Sequence, residues 1–294
     1  VAELNPLKLL HMGESGSGKT CALASLLDAG YFVRVLDLDN GVDALKNLIT
    51  DPKTKYKPNS IERLDYITLT EPMRFANGRI IPAKASVWSK SMGMLDNWKN
   101  ENPQFGTICN HGPVSKWDER HVLCIDTLGN LATGALNFHL QMNGALGAVR
   151  TQNEGRRDIG VAQQYITTLV QYLYDVSLRC NVIINTHITY VKQDGTGDLT
   201  PGENAPTQGF PSTIGRALSP RVPGFFNTVL MSKVVGSGQG SRRRIYTISQ
   251  GNVNLKNTAP LRVAPEYDQT TGLAEIFRTV LGDPTKVIPM VKPK

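Results

Sequence analysis

Several things are scarce in this 294-residue chain, and each scarcity excludes something. Cysteine occurs four times, at Cys21, Cys109, Cys124 and Cys180, and three of these fall in or beside segments that read as buried core. A disulfide framework is therefore not expected, and a reducing cytoplasm is the natural compartment. No apolar run approaches the roughly 20 residues that cross a bilayer, so no membrane partner is expected. The opening "VAELNPLKLL" has no basic segment followed by an apolar one, which speaks against a secretory signal. Charged residues make up only 19% of the chain and hydrophobic ones 40%, as in ordinary globular proteins. Internal repeats and low-complexity tracts are absent, which excludes solenoids. The net charge of +7 permits a polyanionic partner without requiring one.

Zinc-finger spacing is lacking as well. "CNH" at 109–111 and "HVLC" at 121–124 offer Cys109, His111, His121 and Cys124, the residue types zinc prefers. Their spacing matches no finger or ribbon, and Cys124 lies within an apolar strand, so core packing and loop chemistry are the better account.

What is present is an alternation of apolar strands and amphipathic helices. "LKLLHM" (7–12), "YFVRVLDLD" (31–39), "HVLCIDT" (121–127) and "NVIINTHI" (181–188) read as buried strands. "TCALASLLDAG" (20–30) reads as a helix stopped by glycine. A longer helix is expected over 161–179, with Val161, Tyr165, Leu169, Tyr172, Leu173 and Val176 on its apolar face. This rhythm predicts an α/β protein with a mostly parallel twisted sheet, helices on both faces, and a C-terminal antiparallel hairpin formed by 227–235 and 242–250. The expected organisation is a core over 1–262, interrupted by an insertion at 51–120 with one helix near 86–100. A mobile loop rich in Gly and Pro follows at 190–224, and 263–294 forms a C-terminal helix and tail.

One motif carries specific chemistry. "GESGSGKT", from Gly13 to Thr20, matches G-x-x-x-x-G-K-[ST] between a strand and a helix. Gly13, Glu14, Ser15, Gly16, Ser17 and Gly18 form a backbone cradle for phosphates, closed by Lys19, Thr20 and Cys21 at the helix start. Lys19 would reach the β- and γ-phosphates and Thr20 would ligate Mg²⁺. Asp126, ending the strand "HVLCID", supplies the second carboxylate for the metal shell. Asp37 and Asp39 end another strand, and whichever clears the strand end could orient the attacking water.

The order of these segments resembles that of RecA-like ATPases, in particular the short phage-encoded RecA-fold proteins that accompany single-strand annealing. In that family a P-loop is followed by a strand ending in a water-activating acid, then by an apolar strand ending in Asp-Ser/Thr. Last comes a strand ending in a polar sensor before a mobile loop. Here the order is Gly13–Thr20, "VLDLDNGVD", "VLCIDT" and "VIINTH". The resemblance implies that Asp39 activates water and that His187 senses the γ-phosphate. It also implies that Lys256, in "VNLKNTAPL", reaches a neighbouring subunit's ATP. ATP and Mg²⁺ are the implied cofactors, and the implied activity is a DNA-stimulated ATPase in recombination. The implied partners are single-stranded DNA and a homo-oligomeric ring or filament, with a single-strand-binding or annealing protein beside them. DNA contacts would come from loops 150–160 and 190–222, through Arg150, Arg156, Arg157, Lys192, Arg216 and Arg221, with Phe210 as a stacking or wedge residue. A hexameric helicase-type motor, a nucleotide-gated scaffold and a P-loop small-molecule kinase are the other readings of the same motifs.

Overall fold

Leu9, Leu10, His11 and Met12 are all buried, although two faces of a strand alternate along them. Only a strand covered on both sides buries every residue, and this one lies inside a parallel sheet. A computed structural model describes residues 5–76, 78–102, 106–192, 207–215 and 217–282. The chain enters through β1 (Lys8–Gly13), α1 (Lys19–Asp28), β2 (Phe32–Asp37), α2 (Val42–Thr50) and β3 (Leu64–Thr68). Two hairpins, β4 (Met73–Ala76) with β5 (Arg79–Pro82) and β6 (Trp98–Asn102) with β7 (Thr107–Gly112), flank α3 (Val87–Asp96). Next come β8 (His121–Asp126), α4 (Leu128–Met142), α5 (Gln152–Tyr174) and β9 (Asn181–Thr186). The last part holds β10 (Ile188–Lys192), β11 (Thr207–Pro211), β12 (Thr228–Val235), β13 (Arg242–Tyr246), β14 (Glu266–Asp268) and α6 (Gly272–Leu281).

Eight strands form the central sheet in the order β14-β13-β12-β1-β9-β8-β2-β3. Pairings from β12 through β3 are parallel, whereas β12–β13 and β13–β14 are antiparallel. The result is a mostly parallel α/β sheet, with β9 inserted between the strand that leads into the Gly13–Thr20 loop and the strand that ends in Asp126. On one face Leu9, Val33, Val35, Cys124 and Ile183 pack against α1, α2 and α6. On the other, Leu10, Leu36, Ile125 and Ile184 pack beneath α3, α4 and α5. Tyr31 meets Phe277 of α6 edge to face at 5.3 Å. Complete burial of Phe277 and Ile276 stabilises this docking by about 1.5–3 kcal/mol each.

The structure refines several sequence expectations. The 51–120 stretch contributes β3 to the central sheet before its hairpins begin, and the 263–294 segment contributes β14 and α6 to the same sheet and core. The long helix starts at Gln152 rather than near 161, because Thr151 and Glu154 form a capping box there. Residues 152–160 are therefore helix, not loop. Its buried stripe runs through Ala162, Ile166, Leu169, Val170 and Leu173, while Tyr172 and Val176 are exposed. The expected loop at 190–224 is partly ordered: Ile188–Lys192 pairs antiparallel with Thr207–Pro211. Residues 193–206, Arg216 and 283–294 lie outside the described residues.

Candidate functional site

β1 runs into the P-loop at the carboxyl end of the parallel strands. Two of the loop's glycines are required by geometry. A Cβ on Gly13 would lie 2.5 Å from Ser17 Oγ and 2.6 Å from the Ser232 carbonyl oxygen. Gly18 has φ of 92° and would place a Cβ 2.7 Å from the Arg243 side chain. No side chain caps the start of α1 at Gly18, so its first N–H groups remain directed at the loop's concavity, with the positive end of the helix dipole behind them. Lys19 is buried, and its Nζ donates to the carbonyls of Gly13 at 2.8 Å and Glu14 at 3.0 Å. Burial lowers its pKa, opposed by the charges of Asp126 and Asp39. From the far side Arg243 Nε donates to the Gly16 carbonyl and Gln269 Nε2 to the Gly18 carbonyl, at 3.1 Å each. Arg243, the middle of the three arginines that open β13, thus braces the loop.

Thr20 Oγ1 donates to Asp126 Oδ2 at 2.5 Å, so the two expected metal ligands are in contact. Burial raises the Asp126 pKa against the opposing effects of the Thr20 bond and the Lys19 charge. Two hard oxygen donors of this kind suit Mg²⁺, which keeps much of its water shell.

Asp37 and Asp39 differ sharply in burial. Asp37 is 1% exposed, and its two oxygens accept from Gly41 N and Thr68 Oγ1 at 2.9 and 3.0 Å. It is committed to holding the turn after β2. Asp39 is exposed, accepts from Asn130 Nδ2 at 3.1 Å, and lies 3.4 Å from His187 Nε2. The two residues expected to activate water and to sense phosphate are thus brought side by side.

A polar row underlies the loop. Asp37, Asp126, Asn185 and His11 are level with one another on adjacent strands β2, β8, β9 and β1. Asn185 is fully buried beside Asp126, and its amide acts with Thr20 against the rise in the Asp126 pKa. Ser17 Oγ and His11 Nδ1 are buried without a hydrogen-bond partner among the described residues. Buried polar atoms without partners are costly, and their gathering around the P-loop fits a site built for phosphate and its metal-bound water. His11 Nε2 lies 2.7 Å from Ser232 Oγ. Burial, with a smaller effect from Lys19, pushes the His11 pKa down to about 3, so its ring stays neutral. Asn185, Asn130, His11, Arg243 and Gln269 were not assigned to the site from sequence. Polar residues within the apolar runs "LLHM" and "VIINT" were the available signal for His11 and Asn185.

The remaining expected residues lie apart from this cluster. Lys256 is exposed and bonds through its backbone to Val229, a position level with Leu10, well before the P-loop. Arg150 is paired with Asp158 at 2.8 Å and with Glu154 at 3.6 Å, whereas Arg156 and Arg157 are exposed on the first turns of α5. Arg221 and Lys192 are exposed. Phe210 is buried at 7% exposure, so a stacking or wedge role does not fit its position. A cavity of about 220 Å³, lined in part by Glu14, Ser17, Ser232, Ile188, Tyr190 and Asn252, joins the P-loop to β10.

Topology and cradle together define a P-loop NTPase domain, a class that binds nucleotide, typically with Mg²⁺. The chain belongs to the AAA domain family, whose profile matches residues 5–258. Among solved structures it is similar to the flagellar accessory protein FlaH from Methanocaldococcus jannaschii, at 10% identity and a TM-score of 0.38, over 90% of this chain and 84% of that one. It is also similar to a KaiC-like protein from Pyrococcus horikoshii OT3, at 9% identity and a TM-score of 0.35, over 82% and 78% of the two chains. No curated protein matches it. Among the described residues, no helix is long and apolar enough to cross a membrane.

Proposed function

We propose that the chain hydrolyses ATP and acts as a RecA-like recombination protein on single-stranded DNA, encoded by a phage and working in the host cytoplasm. The observation that carries this reading is the contact between Asp39 and His187 at the carboxyl end of the sheet. His187 ends the run from β9 and immediately precedes the β10–β11 hairpin, so a group placed to feel the terminal phosphate would be continuous with that hairpin. Lys19 would hold the β- and γ-phosphate oxygens, exchanging its bonds to the loop carbonyls for bonds to the nucleotide. Asp39 would orient the attacking water and accept its proton, while Asn130 fixes the carboxylate. Thr20 and Asp126 would hold Mg²⁺, which would offset charge developing on the phosphoryl oxygens. Arg156, Arg157, Lys192 and Arg221 would be the basic groups that meet a DNA backbone. Lys256, remote from its own P-loop, would serve the site of an adjacent copy in a ring or filament, and an annealing protein would act on the same strand.

The test is fluorescence anisotropy of a labelled single strand with a non-hydrolysable ATP analogue and with ADP, at two salt concentrations, alongside turnover with and without DNA. The expected result is tighter DNA binding in the ATP state, weakening steeply with salt, and loss of the nucleotide dependence in His187→Ala. Equal affinities in the two nucleotide states would refute the coupling. Turnover without any DNA binding would point to a small-molecule kinase, and DNA-dependent assembly without turnover to a scaffold.

A further inference from the structure

We propose that Asp65, Cys109 and His111 form a site for a zinc-class divalent metal that ties the β6–β7 hairpin to the edge strand β3. Cys109 and His111 are two apart on β7, and the register shift between Trp98 and Lys99 leaves His111 without a cross-strand partner in the hairpin. The fold brings Asp65 of β3 to them, and one ligand atom from each residue lies within 4.8 Å of the other two. Sulfur, imidazole nitrogen and carboxylate oxygen together select zinc and its neighbours over Mg²⁺ or Ca²⁺.

One pair of ligand atoms already stands at the spacing of a coordination sphere, with the Cys109 sulfur within 4.8 Å of both. Asp65 Oδ2 and His111 Nε2 are 3.2 Å apart. Ligands at zinc bond lengths and a tetrahedral angle stand about 3.4–3.6 Å from one another, so this pair needs a shift of a few tenths of an ångström and the sulfur a movement of about an ångström at most. His111 Nε2 is buried against the Asp65 carboxylate, whose pKa its contact lowers, so the two groups face one another where a metal would bridge them. The outer shell is also in place: Trp98 Nε1 and Asn100 Nδ2 donate to Asp65 at 2.9 and 3.3 Å. Trp117 Nε1 donates to the His111 carbonyl at 2.8 Å. Such partners orient metal ligands and tune their basicity. Arg34 is in register with Asp65, and its guanidinium donates to the carbonyls of Val33 and Arg63.

The site is separate from the nucleotide cradle. Asp65 is level with Arg34, three residues before the Asp37–Thr68 pair at the nucleotide end of the sheet, and Arg34 projects to the opposite face from Asp37. The other cysteine and histidine of the sequence cluster are engaged elsewhere. His121 Nδ1 lies 2.6 Å from Asp118 Oδ1, and Cys124 is completely buried in the core beneath α1.

The experiment measures metal content by mass spectrometry in the full chain purified from zinc-supplemented culture, and records absorption after cobalt replacement. The expected result is about one zinc per chain and a thiolate-to-cobalt charge-transfer band. Cys109→Ser and His111→Gln should each lose most of the metal, Cys109→Ser should lose the band, and His121→Gln should keep both. A chelator should lower the Tm of the parent chain but not that of folded His111→Gln, which separates metal loss from misfolding. Absence of stoichiometric metal and of the cobalt band in the folded parent would overturn the proposal. Retention of full metal by both ligand variants would overturn it equally.

Discussion

Acidification should weaken this protein through one residue beneath its P-loop. His11 is 0% exposed, and its pKa lies at about 3 rather than the ordinary 6.5. Below pH 6.5 the unfolded chain therefore takes up a proton that the folded chain refuses. Because the unfolded state binds more protons in that window, stability is fully present above pH 6.5 and is lost as pH falls toward 3. At 1.36 kcal/mol per pH unit, the loss from His11 alone between pH 7 and pH 5 is about 2 kcal/mol. Full burial means that solvent screening does not discount this figure. The assay is urea unfolding of the parent and His11→Gln at both pH values, because Gln retains a polar atom for Ser232 but does not titrate. The parent should lose about 2 kcal/mol more than the variant over this interval. His121, whose pKa burial also lowers, contributes to both proteins and cancels. Equal losses in the two proteins would show that the imidazole is solvated or charged in the fold, and the reasoning would fail.

Two further outcomes separate roles within the site. Asp39→Asn should leave nucleotide affinity and stability near parental and lower kcat on the order of a hundredfold, in a turnover assay paired with nucleotide titration. Asp37→Asn should instead lower unfolding free energy by about 1–3 kcal/mol in urea, since the Gly41 and Thr68 bonds are disturbed. If Lys256 serves an adjacent copy, mixing Lys256→Ala with Lys19→Ala should restore part of the turnover that each lacks alone. Absence of rescue at every mixing ratio would confine Lys256 to the surface.

The P-loop was legible because its chemistry needs contiguous residues between a strand and a helix, a local pattern that tertiary structure does not rearrange. β1, β2, β8 and β9 were legible because strands buried on both faces appear as unbroken apolar runs. β3, "LDYIT", was not, since Asp65 interrupts its apolar run and its carboxylate is satisfied only by a hairpin formed later. The early start of α5 was present in the sequence as Thr-x-x-Glu at 151–154, a capping signal outweighed by the arginines that suggested a loop. Asn185, Arg243 and Gln269 belong to the nucleotide site through long-range pairing. A single polar residue in a strand, an arginine in a hairpin and a glutamine before a helix carry no local mark of what they will face. Phe210 shows the converse: a lone aromatic among Gly and Pro suggested exposure, but strand pairing buries it.

The position of β1 between β9 and β12 also sets the order in which the protein becomes competent during synthesis. His11 and Ser232, which meet beneath the P-loop, are 221 residues apart in the chain. At ribosomal rates of about 5–20 residues per second, the phosphate motif emerges roughly 10 to 45 s before the strand that completes its support. Arg243 and Gln269, which brace the loop, emerge later still. Until β9 emerges both edges of β1 are unpaired, and its β12 edge stays open to the end of the interval, the kind of strand that templates aggregation or recruits chaperones. Nucleotide binding in this fold thus follows completion of the sheet, although the motif that binds is among the first parts of the chain to be made.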